Sequence, residues 1–152
     1  MHRSRASRYC GNEGFTLLEL MITLAILSIG LLGLATMQTT ALKATVSGGK
    51  TTIANSLVRN AAERIIRNSA NSGSYAGMNT GTGARPNCPS LTPPPVCSTD
   101  FTEWQTRVTR LPQGLMQVTS TAGANFDTVT VILSWQDPMG SHSVTLPLQV
   151  AP

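Results

Sequence analysis

An apolar run near the N-terminus constrains this chain more than any other feature. Residues 15–34, FTLLELMITLAILSIGLLGL, contain a single charged side chain, Glu19. As an α-helix rising 1.5 Å per residue, the run would extend about 30 Å, which is the thickness of the hydrocarbon core of a bilayer. The sequence therefore predicts a transmembrane segment at residues 15–34.

A short basic segment precedes the apolar run. Residues 1–14 carry Arg3, Arg5 and Arg8 against one acid, Glu13, and so supply half of the formal net charge of +4. Basic residues on this side predict a cytoplasmic N-terminus and an exported remainder. A cleaved secretory signal is the simpler alternative, but its apolar region is usually ~7–15 residues long and ends in a small-x-small site. The run here is longer and is followed by no such site.

The junction of these two segments resembles a known processing signal. The string GFTLLE has a Gly that ends a basic leader, a Phe after it, and a Glu four residues later. It is similar to the class III signal of type IV prepilins and pseudopilins. The resemblance implies that prepilin peptidase cuts between Gly14 and Phe15 and then N-methylates the new amine of Phe15. The apolar helix would stay in the mature protein.

Glu19 is an acid inside the expected membrane span. A carboxylate costs roughly 2.5–3.5 kcal/mol at the centre of a transmembrane helix, and less near its end, so it is expected to have a functional partner. In a bundle of such helices, Glu19 could pair with the Phe15 amine of a neighbouring subunit. We expect Glu19 to act in filament assembly and to set the axial register.

The residues after the motif refine the resemblance. Residues 28–34, SIGLLGL, lack the helix-kinking proline of many filament-building pilins, and the chain is similar here to the PilV group of minor pilins. This implies a minor pilin of a type IV pilus, which contacts other minor and major pilins through its N-terminal helix, in the filament or its priming tip complex. It would reside in the bacterial inner membrane before assembly, then on the pilus at the cell surface. The alternatives are a minor pseudopilin of a type II secretion system and a single-span membrane-anchored periplasmic protein with no filament role.

Residues 35–68 are predicted to extend the helix as an amphipathic segment. They contain no proline, and most of their apolar residues lie four positions apart, which places them on one helix face. The residues concerned are Leu42, Val46, Ile53, Leu57, Ala61 and Ile65. Gly48 and Gly49 cost roughly 2 kcal/mol relative to alanine, so a bend or local melting is expected there.

Residues 69–152 are predicted to form the exported domain, and residues 69–99 to be its loop-rich part. Three cysteines are present, but Cys10 lies in the leader. In an oxidising compartment the other two, Cys88 and Cys97, are expected to form a disulfide worth roughly 2.5–3 kcal/mol in the chain-entropy model. A metal site is not expected, because the cysteine pair lacks further ligands.

A short helix is predicted after this loop region. Asp100 followed by Glu103 is typical of an N-cap with its capping acid, and the helix would continue to about Leu111. Phe101, Trp104, Val108 and Leu111 fall on one face, which predicts that they pack in the core.

The last third of the chain is predicted to form strands. Apolar and polar residues alternate over residues 115–121, 128–135 and 144–150, and the sequence DPMG at 137–140 is typical of a type I turn. Pro147 is expected on an edge strand or with its nitrogen facing outward. The fold class expected is α+β and type IV pilin-like: a long N-terminal helix, transmembrane in its first half, packed on a small antiparallel sheet of about three strands.

Catalytic and nucleic-acid-binding functions are not favoured by the sequence. Outside the leader there is one histidine, His142, and no residue grouping typical of catalysis or of a cofactor site. Residues 44–51, ATVSGGKT, approximate a P-loop but lack its first Gly and follow a helical pattern instead of a strand. Six arginines could form a DNA-binding patch, but the charge after cleavage would be only +2, so a solvated surface is the preferred interpretation. They are Arg59, Arg64, Arg67, Arg85, Arg107 and Arg110.

Overall fold

A computed structural model describes residues 14–85, 87–88 and 94–151. Their elements are helix α1 (Leu17–Arg67), a 3-10 helix (Ser69–Tyr75), helix α2 (Val96–Val108) and strands β1 (Leu115–Thr121), β2 (Asp127–Asp137) and β3 (Gly140–Val150). The basic leader predicted at 1–14 lies, apart from Gly14, outside the described residues, and so does Cys10. The chain divides into two compact units, one up to Ala41 and one from Leu42 onward.

The first unit is the N-terminal part of α1. Its large apolar side chains from Phe15 to Met37 are all at least 51% exposed. Among the described residues, α1 is the one helix that is long and apolar enough to cross a membrane, a criterion of length and composition that a signal sequence would also meet. The described part of the chain therefore provides no surface that covers the apolar run.

Helix α1 is unbroken at Gly48 and Gly49, the position where a bend or local melting is expected. The hydroxyls of Thr51 and Thr52 donate to the carbonyls of Ser47 and Gly48, each at 3.1 Å, which satisfies these side chains within the helix but does not strengthen it.

The apolar face of α1 enters the core later than its periodicity suggests. Leu42 and Val46 are 66% and 56% exposed, whereas Leu57 is 5% exposed and Ile65 is fully buried. The buried residues of α1 begin at Ala54 and are Ala54, Leu57, Val58, Ala61, Ala62 and Ile65. Of α1, only this last part contributes buried side chains to the hydrophobic core.

The three strands form an antiparallel sheet in the order β1-β2-β3. Core side chains lie opposite each other, with Met116 facing Leu133 and Val118 facing Val131. The predicted hairpin is confirmed: Asp137 pairs with Gly140, and the Asp137 carboxylate accepts a hydrogen bond from the Met139 amide at 2.8 Å. The fold is α+β, a long apolar helix packed on a small three-stranded antiparallel sheet, which is the pilin-like architecture expected from the sequence.

The two edges of the sheet differ. The outer edge of β1 is covered, because residues 77–80 exchange backbone hydrogen bonds with Met116 and Val118. Strand β3 is the other edge, and Pro147 lies in it, as predicted from the missing N–H of proline.

Helix α2 differs from its prediction at both ends. It begins at Val96 after Pro95 as N-cap and ends at Val108, so Asp100 is not the N-cap and the helix does not reach Leu111. Pro95 can initiate the helix because its φ of −67° is fixed by its ring. The four apolar residues assigned to the core, Phe101, Trp104, Val108 and Leu111, are each at most 3% exposed.

Candidate functional site

The start of α1 is organised by Thr16. Residues 14–16 are not helical, and the Thr16 side-chain oxygen Oγ1 accepts a hydrogen bond from the backbone N–H of Glu19 at 3.2 Å. The Thr16 carbonyl accepts the next bond, from the N–H of Leu20, also at 3.2 Å. Thr16 is therefore the N-cap of the helix, which fixes where helical structure begins.

Glu19 occupies the third position of the capped helix. A carboxylate in the first turn is stabilised by the partial positive charge of the helix N-terminus. Thr16 and Glu19 also have the T-x-x-E spacing of a capping box, a signal that the sequence interpretation overlooked because it treated Glu19 only as a charge in an apolar run. The side chain is exposed in this chain, so it is accessible to a partner.

The peptide bond between Gly14 and Phe15 lies just before the cap. A side chain placed on Gly14 would meet no atom within 4 Å, and Phe15 is 84% exposed. A protease needs its substrate backbone unfolded and accessible, and these two residues meet that requirement. Gly14, Phe15 and Glu19 thus lie together at the start of α1, while Cys88 and Cys97 belong to the second unit.

The polar side chains inside the apolar run are satisfied within the helix. The Thr23 hydroxyl donates to the Leu20 carbonyl at 2.9 Å, and the Ser28 hydroxyl to the Ala25 carbonyl at 2.8 Å. Gly30 and Gly33 have open space where a Cβ would lie, so another helix can approach closely there. This surface is suited to contact with lipid hydrocarbon or with neighbouring helices, because an unpaired hydroxyl would cost free energy in either environment.

A buried polar network links α1, the 3-10 helix and α2 in the second unit. Asp100, 3% exposed, accepts hydrogen bonds from the Arg64 guanidinium at 2.6 Å and the Tyr75 hydroxyl at 2.7 Å. The Asn68 amide in turn donates to the Tyr75 hydroxyl at 3.2 Å. The hydrogen bond to Asp100 raises the pKa of Arg64. Asp100 therefore joins three elements from within the core.

The network continues toward the surface through Glu103. Its carboxylate pairs with Arg64 at 2.6 Å and with Arg107 one turn along α2. Arg85 also makes contacts inside the unit, since it donates to the Ser98 hydroxyl at 2.7 Å and lies over the Phe101 ring. Arg64 and Arg85 thus make contacts within the fold, which corrects their assignment to a solvated surface, whereas Arg107 is 41% exposed and its pair with Glu103 is a surface one.

The sequence contained a signal for this network. Arg64 follows Leu57 by seven positions and Ala61 by three, and Asp100 precedes Trp104 by four, so each charged residue lies beside the apolar face of its own helix. A charge in that position needs a partner. The partners are 36 residues apart, which local patterns do not reveal.

The two cysteines of the second unit are joined by a disulfide. Cys88 and Cys97 are 7% and 3% exposed, and their Cα atoms are 6.0 Å apart. Cys97 lies in the first turn of α2, so the bond ties the beginning of this helix to the segment after the 3-10 helix. It is part of the hydrophobic core.

The β2–β3 turn lies beside the middle of α1, since Pro138 and Ser47 line one shallow cleft. Burial acts to raise the pKa of Asp137, but the nearby polar groups of Ser47, the Met139 amide and His142 outweigh it and hold that pKa below its ordinary value. The His142 ring lies 3.0 Å from the Asp137 carboxylate and stacks on Trp135. His142 is therefore part of a structural contact.

The remaining sequence candidates lie in regular structure. Residues 44–51, which approximate a P-loop, are helical throughout, and a phosphate-binding loop would instead need free backbone amides after a strand. Within the described residues, His, Cys, Asp and Glu form no group of three or more that could hold a metal ion.

Comparison with known proteins gives one family match. Residues 11–35 match the model of the prokaryotic N-terminal methylation motif. The match covers the predicted cleavage position, the Thr16 cap, Glu19 and the apolar run, and it identifies a type IV prepilin-like N-terminus. No curated protein and no solved structure matches the chain.

Asp100 is expected to be essential for the stability of the second unit. We predict that Asp100→Asn lowers the free energy of unfolding by about 2 kcal/mol, because it removes one charge of a buried pair whose partner is partly solvated. The matched control, Glu103→Gln, changes a carboxylate that is 31% exposed and should cost less than about 1 kcal/mol. Chemical unfolding followed by the fluorescence of the two buried tryptophans, Trp104 and Trp135, measures both. Equal effects of the two variants would contradict the central place of Asp100.

Tyr75 provides a pH-dependent test of the same network. Burial, reinforced by the hydrogen bond to Asp100, raises the pKa of Tyr75 to about 12. A pKa raised in the folded state contributes stability that is fully present below pH ~10 and is lost as the pH rises from ~10 through ~12. In a Tyr9→Phe background Tyr75 is the sole tyrosine, so tyrosinate absorbance at alkaline pH reports on it alone. A midpoint near 10 while circular dichroism still shows folded protein would disprove its burial beside Asp100.

Proposed function

We propose that this chain is the precursor of a minor pilin, a structural subunit of a type IV pilus. The observation that carries the proposal is the N-terminal methylation motif at 11–35, placed on a capped apolar helix whose preceding Gly14–Phe15 bond is accessible. Proteins with this motif are type IV pilin-like or pseudopilin precursors. The role is structural: the chain contributes a helix to an assembly.

Processing is the first step of the proposed function. Prepilin peptidase would cut between Gly14 and Phe15, and the new Phe15 amine would be N-methylated. The cut removes the residues before Phe15 and leaves Thr16 in place, so the cap that starts α1 survives in the mature chain. The mature N-terminus would then consist of Phe15 and a helix that begins two residues later.

Assembly depends on what covers the apolar part of α1. In the precursor the covering medium is the inner membrane, and in the filament it is the helices of other minor and major pilins. Glu19 would then pair with the Phe15 amine of a neighbouring subunit, because a charge placed among apolar side chains is stabilised chiefly by a close opposite charge. One such pair per interface fixes the axial position of each subunit.

The second unit fits an exported location. The Cys88–Cys97 disulfide is stable in an oxidising compartment such as the periplasm. With the basic leader on the cytoplasmic side, the positive-inside bias places residues after the span outside the inner membrane. The unit would be periplasmic before assembly and at the cell surface afterward.

A minor pilin of the PilV group is favoured by residues 28–34. This segment is helical in the structure, contains Gly30 and Gly33, and has no proline. A minor pseudopilin of a type II secretion system is the second candidate, because the same motif occurs in that class. Deletion of the gene separates them: loss of surface pili supports the pilus, and loss of protein secretion with normal pili supports the secretion system.

The Glu19→Ala variant tests the assembly step. We predict that it is cleaved normally but that its amount in sheared filaments falls about tenfold or more, since breaking a buried charge pair costs ~2–5 kcal/mol. Glu63→Ala is the matched control, because Glu63 is an exposed acid of the same helix that forms a surface pair with Arg67. Immunoblots of sheared filaments and of the membrane fraction measure both. Incorporation of Glu19→Ala at the level of the control would refute the pairing.

A further inference from the structure

The outer edge of strand β3 is free among the described residues. In the sheet order β1-β2-β3, β3 has a neighbouring strand on one side only. The opposite edge of the sheet is different, because residues 77–80 bond to β1 and cover it. A free edge exposes a row of unpaired backbone N–H and C=O groups, which can pair with another extended chain.

The register of the sheet determines which residues of β3 present these free groups. In an antiparallel sheet, successive residues of a strand direct their backbone N–H and C=O groups alternately to one side and to the other. The N–H of Gln136 donates to the Pro112 carbonyl on the β1 side of β2 at 3.0 Å, so the next residue along, Trp135, bonds to β3. Its partner there is His142. The odd-numbered residues of β3 therefore direct their backbone groups outward.

Pro147 divides this outward row in two. It has no N–H, and because its number is odd, its nitrogen lies on the free side, where the pairing of β2 with β3 loses no bond. Before it, Ser141, Ser143 and Thr145 have exposed side chains, and each offers one outward N–H and one outward C=O. Pro147 thus protects the second half of the edge and leaves the first half open.

The open half of the edge has no charged residue to protect it. Natural edge strands are commonly guarded by charged side chains, by bulges or by a covering segment. Residues 138–152 contain no Lys, Arg, Asp or Glu, and the register of β3 with β2 continues without a bulge from Gly140 to Val150. A strand of the same composition can approach this edge without like-charge repulsion.

The core face beside this edge is incompletely covered. Val144, Leu146 and Leu148 contact the hydrophobic core but are only partly buried. Their neighbours in β2, Val131 and Leu133, are fully buried. Apolar side chains at such an edge gain burial when one more strand extends the sheet. The sheet is therefore incomplete on the β3 side both in hydrogen bonds and in packing.

We propose that the second units of two copies of this chain pair through their β3 edges and form one continuous antiparallel sheet. The open stretch is complementary to itself: with Ser143 opposite Ser143 of the partner subunit, Ser141 lies opposite Thr145 of the partner subunit. Each of these three residues then donates one backbone hydrogen bond and accepts one. Pro147 lies beyond the end of the partner strand, so its missing N–H costs no bond. Such pairing of identical surfaces about a two-fold axis is the commonest form of homo-oligomer.

The side chains are compatible with this register on both faces. On the exposed face, Ser141 lies beside Thr145 of the partner subunit, and hydroxyl pairs of this kind are among the cross-strand pairs that stabilise sheets. On the core face, Val144 lies beside His142 of the partner subunit, which covers part of its apolar surface. The contact involves residues of the second unit alone, so it does not depend on the minor-pilin proposal.

Cross-linking of the full chain in the membranes of producing cells tests the pairing. In a Cys10→Ser background, Ser143→Cys places one free thiol on the open edge, since the other two cysteines are joined in the disulfide. Opposite residues of a hydrogen-bonded pair have Cα atoms ~5.5 Å apart, which a disulfide can bridge. We expect copper phenanthroline to convert more than half of the Ser143→Cys chains to a dimer on non-reducing gels.

Gln149→Cys is the matched control for the position of the thiol. Gln149 is another exposed odd-numbered residue of the same edge. In the proposed dimer it lies ~40 Å along the strands from its counterpart, at ~3.3 Å per residue, so it should give little dimer. Equal cross-linking of the two variants would assign the dimer to chance encounters in the membrane and overturn the proposal, and so would the absence of a Ser143→Cys dimer.

A proline on the open edge tests the backbone pairing itself. Thr145→Pro, added to Ser143→Cys, removes an outward N–H that β2 does not use, so the unit should fold. The dimer should fall about fivefold or more, because each copy loses one backbone bond to the other. Gln149→Pro removes an outward N–H outside the paired stretch and should leave the dimer unchanged. Near-ultraviolet circular dichroism of the purified chains verifies that both variants fold.

Two further outcomes would overturn the proposal. A dimer that survives Thr145→Pro undiminished would contradict pairing through the backbone of β3. A cross-linked product that contains a different protein, identified by mass spectrometry, would assign the edge to a strand of another chain instead of a second copy.

Discussion

The uncovered apolar surface of α1 is the constraint on which the rest of the account depends. Thirteen large apolar side chains between Phe15 and Leu34 are more than half exposed. Burying such side chains is worth ~1.5–3 kcal/mol each, or about 20–40 kcal/mol together, which exceeds the ~5–15 kcal/mol that stabilises a typical domain. A surface of this size is costly to leave open to water. A membrane or a bundle of similar helices could cover it, and the motif at 11–35 is a prepilin-like one.

In the second unit, the periodicity of the sequence correctly predicts those features that depend on contacts between residues close together in the chain. The alternation in residues 115–121 predicts β1, and the sequence DPMG predicts the hairpin, because a short turn brings together strands that are adjacent in sequence. The apolar face of α2 is likewise correct, since Trp104 and Val108 lie one turn apart on one helix. These features depend on neighbours within about ten residues of each other.

The sequence predictions that are wrong concern residues whose structure depends on partners far away in the sequence. Asp100 has the spacing of an N-cap with Glu103, yet Arg64 and Tyr75 bind it inside the core, and Pro95 starts the helix instead. Leu42 and Val46 continue the apolar face of α1, but the sheet is not there to cover them. At the candidate site, resemblance to a known signal points to Gly14, Phe15 and Glu19. The T-x-x-E spacing of Thr16 and Glu19 also predicts the helix cap, but the apolar residues around Glu19 obscure this local role.

The most direct measurement is the mass of the mature N-terminus, from cells with and without the prepilin peptidase. The account predicts a chain that begins at N-methyl-Phe15 when the enzyme is present, and an uncut chain when it is absent. This result would place the protein on the prepilin pathway. A chain that begins at Met1 in both strains, or one cut after residue 34, would contradict the account, because the apolar helix would then be an ordinary anchor or a discarded signal.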